Sequence, residues 1–376
     1  MRILIITFTG GVNPGTFMQA LGVKTAMTRM FPGAEVDYLN FPDFKRGKGI
    51  GAKGKHDGLM NLFLQKGFAA YRLLKYKKLR KENFSYTRVV DLFNYSSADE
   101  QAIKNYDLVV IGSDTILEKA FGENGRIGLN WMPVDVPKIY FAASASPANF
   151  TPSEELSNVA SRAKFIGLRD LLTINFFKEK LHIDEQRLVR QPDPSYYLDI
   201  KNFELGKHLL SKLHPQEKYA LYDFNSDFPL RKELADMIRN CGYKVVATAF
   251  NPYADICFDT IDAKEWAGVF PHMNIIVTER FHDSVFGLRN CKPVIAIDWD
   301  PNRFSSDGDS KTLRILQDYG LEKYHFNLAK DHCLDQVEKA IRSVESDFNS
   351  SAIAKINEQI YDRANNILMD IKSKLS

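Results

Sequence analysis

Short unbroken apolar runs alternate with amphipathic stretches along most of the chain. "RILIITF" (residues 2–8) is the first such run, and residues 14–30 follow with helical spacing. Strands are predicted again at 34–41 ("AEVDYLNF"), 106–114 ("YDLVVIGSD"), 138–146 ("KIYFAASAS") and 165–170 ("FIGLRD"). A helix is expected over 152–162, with Thr151 as its cap and Glu154 completing a capping box. A further helix reaches Leu181, and "RLVRQPDPS" (187–195) ends this half. Apolar strands separated by helices mark a parallel sheet covered on both faces. The pattern restarts after His214-Pro215, with strands at 218–224, 243–250, 274–281 and 292–300. A helix over 230–240 is placed so that Gly242 can close its C-terminal end. From about Ser350 the chain reads as one long amphipathic helix, expected to cross back and brace the first half. The prediction is an α/β protein with a doubly wound domain over 1–200, a second over 215–345, and a C-terminal helix over 350–376.

Bulk properties narrow this picture. The 376 residues exceed what one hydrophobic core usually holds. A net charge of +3 excludes a molecule that binds polyanions with its whole surface. The opening apolar run (3–8) is too short for a signal peptide, and no run approaches the roughly 20 apolar residues of a membrane span. The four cysteines, Cys241, Cys257, Cys291 and Cys333, form no CxxC pair and suit a reducing compartment. A cytoplasmic location is therefore expected. His182, His208, His214, His272, His325 and His332 show no metal-ligand spacing, so no metal site is expected.

Charge is uneven, however. Between positions 45 and 81 stand twelve lysines and arginines, with Asp57 the one acid. The first part of this insertion is glycine-rich. The second, 59–79, is helical and carries Phe63, Phe68, Tyr71, Leu74 and Leu79. A basic helix with an apolar side can lie on an anionic membrane; equally, it can be a solvated face. Nucleic-acid binding is not expected, because no recognised module accompanies the charge.

Two strand ends carry candidate chemistry. "IIVTERFHDSVFGLRN" (275–290) leaves a buried strand through Glu279, Arg280, His282 and Asp283 and enters a helix. In a doubly wound sheet, ligands bind at the carboxyl ends of strands. There the first helix amides favour an anion. Arg280 adds a planar fork for carboxylate or phosphate, and His282 a group that titrates near neutral pH. These residues read as an anion site with an acid–base group inside it. After the first strand, "TFTGGVNPGTFMQALG" (7–22) has glycines that allow close backbone approach. It is neither a dinucleotide fingerprint nor a P-loop.

In order and spacing the motifs resemble the polysaccharide pyruvyl transferase family. They are Asn13, Gly15 and Gln19 in "NPGTFMQALG", "DLVVIGSD" with Ser113 and Asp114, "FAASAS", and "FIGLRD" with Arg169. "RQPDPSYYLD" with Asp193, "TERFH" followed by "KPVIAID", and Lys311 before residues 313–320 complete the set. The chain departs from the family pattern at Thr115-Ile116-Leu117-Glu118 and at Pro14. The resemblance implies two Rossmann-like domains facing a cleft, as in GT-B glycosyltransferases. It implies no cofactor, phosphoenolpyruvate as donor, and a glycan or lipid-linked glycan acceptor that becomes a cyclic pyruvate ketal. Arg280, Arg169 and His282 would hold the donor, with Asn13, Gly15, Gln19, Ser113 and Lys311 as further binding positions. His282 is then the candidate acid. Asp193 or Asp114 would take the hydroxyl proton, unless Asp193 is a turn residue and Asp114 a helix cap. Two other readings fit the fold: a GT-B glycosyltransferase using a nucleotide sugar, and a non-catalytic glycan-binding protein. In the membrane reading, the insertion at 45–81 would hold the enzyme at the inner membrane face.

Overall fold

A computed structural model describes residues 1–41, 59–90, 96–117, 135–145, 150, 152–305, 308–330 and 334–375, with side chains from 67 onward in the helix that starts at 59. The glycine-rich part of the basic insertion, Glu118, Thr151, His332 and Cys333 lie outside the described residues.

Two parallel sheets form the frame. The first contains β1 (Arg2–Ile6), β2 (Glu35–Asn40), β3 (Ser85–Val89), β4 (Leu108–Ile111), β5 (Lys138–Ala143), β6 (Phe165–Leu168) and β7 (Leu188–Arg190), in the order β3-β2-β1-β4-β5-β6-β7. The second contains β8 (Tyr219–Asp223), β9 (Lys244–Ala247), β10 (Ile256–Cys257), β11 (Ile275–Thr278), β12 (Val294–Asp298) and β13 (His325–Asn327), in the order β10-β9-β8-β11-β12-β13. Each order reverses once, between β1 and β4 and between β8 and β11. Such switch points open crevices at the strands' carboxyl ends. The central strands are apolar on both faces; β1, β4, β5, β6, β8, β11 and β12 are buried almost throughout.

Helices α1 (Pro14–Met30), α2 (Leu59–Asn83), α3 (Ser97–Lys104), α4 (Glu154–Ser161) and α5 (Leu171–Lys180) cover the first sheet. Short α6 (Lys207–Leu210) begins the passage to the second lobe. There α7 (Arg231–Asn240), α8 (Ala263–Ala267), α9 (Phe281–Arg289), α10 (Lys311–Asp318) and α11 (Leu334–Asp347) surround the second sheet. No described helix is long and apolar enough to cross a membrane.

The helix expected at 152–162 is shorter than its pattern. It is capped by Ser153, whose hydroxyl accepts from the Leu156 amide at 3.1 Å; Glu154 is its first residue and so cannot close a capping box. Gly242 stands at φ 91° just past α7, its amide bonded to the Arg239 carbonyl, as a helix-closing glycine should.

The last helix, α12 (Ser350–Leu375), ties the lobes together. Its buried stripe includes Ile353, Asn357, Ile360, Ala364, Ile367 and Ile371. Arg29 on α1 donates to Asn365 at 3.0 Å, and Tyr197 donates to the Ala364 carbonyl at 3.3 Å. Toward the second lobe, Asn357 donates to the Leu288 carbonyl at 3.0 Å and accepts from Tyr319 at 2.7 Å.

Candidate active site

The two switch points face each other. On the first lobe, β1 runs into the loop 7–13 and α1, which Asn13 caps by accepting from the Thr16 amide at 3.2 Å. Beside it, β4 ends at Gly112-Ser113-Asp114. Asp114 lies at φ 67°, in the left-handed region that a short polar residue tolerates. It is held there by the Ser144 amide on its carbonyl (2.9 Å) and by the Thr16 hydroxyl on its carboxylate (3.0 Å). Ser113 is buried, and its carbonyl accepts from the Thr7 hydroxyl at 3.0 Å.

On the second lobe, β11 ends at Thr278 and the chain turns through Glu279 and Arg280 into α9. Glu279 is fully buried and accepts from the Asn225 amide at 2.6 Å and from the Trp299 indole. Its carbonyl receives Arg303 at 2.5 Å. Arg280 donates through Nη2 to Asn225 Oδ1 at 3.0 Å. Burial alone would lower the Arg280 pKa, but the carboxylates of Asp223, Asp283 and Glu279 hold it above its ordinary value. Asp283 is buried, accepts from the Thr278 hydroxyl at 2.8 Å, and is pushed well up by burial and by neighbouring Asp223.

The lobes meet at His282. A Cβ placed on Gly15 would come within 2.4 Å of the His282 ring, so the imidazole from one lobe lies directly on the glycine of the other. Its Nε2 approaches Asp193 Oδ2 to 3.4 Å, an ion-pair distance without hydrogen-bond alignment. The same oxygen accepts from Arg169 Nη1 at 3.2 Å, and Asp193 Oδ1 accepts from the Ser195 amide at 2.9 Å. Arg169 also reaches Gln19 at 3.3 Å, and its guanidinium lies 4.5 Å over the Phe281 ring. Burial would raise the Asp193 carboxyl; His282, Arg169 and the Ser195 amide outweigh it and hold the group well below the usual carboxylate range. The Asp114 carboxyl is likewise lowered, burial being overcome by Arg169, His282, the Thr115 amide and Thr16.

The structure thus gathers Gly15, Gln19, Asp114, Arg169, Asp193 and His282 around one point between the lobes. Arg280, two residues before His282 at the start of the same helix, is held by Asn225 beside Asp223 and Asp283. Lys311, first residue of α10, lines the adjoining recess with Arg169, Asp193, Phe281, Arg314 and Arg363. Asn13 acts as a helix cap and is exposed. Asp193 opens the 194–197 turn, one of the two roles expected of it, and it also carries the charge contact to His282 of the other lobe. Sequence reasoning missed Thr16, Asn225, Phe281 and Arg303. Asn225 had a signal, since it follows the strand at the second switch point. The others are placed by packing.

Among the described residues, several buried polar atoms here have no hydrogen-bond partner: Arg169 Nε, Arg280 Nε, Gln19 Nε2, His282 Nε2, Ser113 Oγ and Ser195 Oγ. Unsatisfied buried groups are rare and costly, and a cluster rich in N–H donors between two lobes suits an anionic ligand.

A family model described as polysaccharide pyruvyl transferase matches residues 13–301. No curated protein sequence matches the chain significantly. Among solved structures the chain is similar to Arabidopsis thaliana UGT89C1 complexed with UDP-L-rhamnose (TM-score 0.54, 12% identity, covering 100% of this chain and 99% of that one). It is also similar to the S. aureus MnaA–UDP co-structure (TM-score 0.53, 13% identity, 97% of each chain). UDP-N-acetylglucosamine 2-epimerase from Rickettsia bellii gives a TM-score of 0.54 at 8% identity over 99% of this chain and 97% of that one. At these identities the likeness is one of fold: a GT-B-like pair of facing Rossmann-like domains.

Proposed function

The chain belongs to the polysaccharide pyruvyl transferase family, and from that premise we propose that it moves pyruvate from phosphoenolpyruvate onto two hydroxyls of a glycan or lipid-linked glycan, forming a cyclic ketal. The observation that carries this reading is that buried nitrogens of Arg169, Arg280, Gln19 and His282, drawn from both lobes, lack a hydrogen-bond partner among the described residues. Phosphoenolpyruvate presents a carboxylate and a phosphate a few bonds apart, and two guanidinium groups from opposite walls match that pair.

The reaction needs one proton delivered to the donor's methylene carbon. The double-bond electrons take that proton, leaving an oxocarbenium-like centre at the carbon bearing the phosphate. A sugar hydroxyl adds there and loses its proton. The C–O bond to phosphate breaks, and a second hydroxyl closes the ring. The two hydroxyl hydrogens are thereby balanced, one in the new methyl group and one on released phosphate. His282 is the acid. Both Asp193 oxygens are engaged by Arg169, His282 and the Ser195 amide, so Asp193 orients the ring and the guanidinium. The Asp114 oxygens also accept hydrogen bonds, from the Thr16 hydroxyl and the Thr115 amide, but Asp114 is half-buried where Asp193 is buried, and it is the group assigned to accept the attacking hydroxyl's proton. Lys311 adds positive charge beside the leaving phosphate.

Calorimetric titration with phosphoenolpyruvate, followed by phosphate-release assays, tests the reading. Each charge-assisted contact is worth about 1.5–3 kcal/mol, so Arg280→Ala and Arg169→Ala are expected to weaken donor binding about 10- to 100-fold. His282→Ala should bind the donor but release little phosphate. If phosphoenolpyruvate does not bind while a nucleotide sugar raises the melting temperature, the protein is a glycosyltransferase and the proposal is wrong.

A further inference from the structure

We propose that the outer face of α2 docks onto an anionic phospholipid surface, and that it does so as a rigid part of the cleft rim. Among the described residues six large apolar side chains are well exposed, and three of them, Tyr71 (50%), Leu73 (52%) and Leu74 (67%), fall within four positions of this helix. Exposed Lys77, Lys78 and Lys81 continue the same side toward the C-terminal end. Glu82 is the one acid in the helix, and it lies 3.8 Å from Lys78. Apolar tips followed by lysines whose stems can lie along an interface are what a helix needs to rest in the headgroup layer.

The opposite face of α2 is committed to the protein. Tyr76 and Leu79 are buried. Arg80 donates to the Gly11 carbonyl at 2.6 Å, and Asn83 receives Lys24 at 2.6 Å on its carbonyl. Contacts also reach the second lobe. Lys75 meets Glu265 at 2.6 Å, Lys264 donates to Asn83 at 3.1 Å, and the Phe68 and Phe250 rings stack at 6.1 Å. Among the described residues the helix is anchored without Tyr71, Leu73 or Leu74.

Size and charge choose the occupant. A stable protein partner requires roughly 800 Å² on each side, far more than three side chains on a convex helix. A lipid surface accepts a few inserted apolar groups and rewards each nearby lysine with about a fivefold gain in partitioning. Because α2 touches the Gly11 loop and Glu265 at once, docking would hold the cleft mouth at the lipid surface, where a lipid-borne acceptor would be presented. The docking itself does not depend on the donor chemistry.

Co-sedimentation of the full chain with phosphatidylcholine vesicles, with and without phosphatidylglycerol, tests it. The wild type is expected to pellet with the anionic vesicles and to be released by salt. Leu73→Ser/Leu74→Ser and Lys77→Gln/Lys78→Gln/Lys81→Gln should each weaken this binding at least tenfold, about a hundredfold for the triple lysine variant. Both should keep the wild-type melting temperature and phosphate release with a soluble acceptor. Equal binding to neutral and anionic vesicles, or unchanged binding by both variants, would overturn the proposal. So would a change of oligomeric state in the serine variant without loss of vesicle binding, which would make the patch a protein interface. Failure of donor binding in the calorimetric test leaves this result untouched, so the two readings fail separately.

Discussion

Asp283 stands in the first turn of α9 and Asp193 faces the neighbouring His282 from the other lobe, and their surroundings drive them in opposite directions. Asp193 is held down by its partners, so its folded pKa lies below the unfolded value of about 3.9. Its contribution to stability is present above that value and is lost as pH falls through the folded pKa. Asp283 is pushed up by burial and by Asp223, so the folded protein keeps its proton to higher pH than the unfolded chain does. That contribution is full at low pH and disappears as pH rises through the folded value. Urea unfolding across the acidic to neutral range should therefore show two limbs. Asp193→Asn should flatten the acid limb, with a lower baseline because Arg169 loses its partner. Asp283→Asn should remove the decline on the rising side. The residue types at these places were legible in the sequence, though Asp193 also had a plain structural reason as a turn residue before Pro194. Their partners were not, since Asp193 and His282 are 89 positions apart.

At the level of elements, α1 shows why a glycine can be needed for another element's sake. Gly15 and Gly22 lie on one side of the helix, and each gives way to a different neighbour. A Cβ on Gly22 would come within 2.1 Å of the Pro194 carbonyl oxygen, whereas one on Gly15 would meet the His282 ring at 2.4 Å. Backbone yields less readily than a side chain. Gly22→Ala is therefore expected to cost about 1–3 kcal/mol in urea unfolding, by forcing the 194–197 turn off the helix. Gly15→Ala would press on the His282 Cβ and ring base and is expected to cost about 1–3 kcal/mol as well, and in addition to cut phosphate release at least tenfold, because the ring is displaced from Asp193. Strands with continuous apolar runs, such as "LVVI" and "IIVT", were readable from pattern alone. Strands β3, β10 and β13 were not: "SYTRV" is mostly polar, and two- and three-residue strands carry no period. All three are edge strands, which exist because a neighbour offers unpaired backbone.

Across the whole molecule, the relation between lobes depends on Arg289, at the far end of the helix that begins with the site. Its guanidinium donates to the Ser195 and Leu198 carbonyls, each at 2.7 Å, and to Tyr361 of α12 at 2.8 Å. It also lies 4.8 Å over the Tyr196 ring. One buried side chain thus connects α9, the turn that carries Asp193, and the C-terminal brace. Arg289→Met should destabilise by about 3 kcal/mol, since it leaves buried carbonyls unsatisfied. It should also raise KM for phosphoenolpyruvate, because Arg289 holds the turn that carries Asp193 from behind. A change in stability without a change in KM would show that the clamp supports the fold alone.

The alternation of apolar runs and helices, the restart near 215 and the chemistry at strand ends came from sequence alone, because each depends on local periodicity or on a few adjacent residues. The resemblance to a family added the expectation of facing lobes and of a shared donor site. What only the tertiary structure decided was the meeting of distant groups: His282 on Gly15, Asp193 between Arg169 and His282, Arg280 against Asn225, and α2 spanning both lobes. Those contacts are set by how the two sheets are clamped through Arg289 and α12. No local pattern encodes that angle, because its energy lies in pairs that are distant along the chain and adjacent only once the chain has folded.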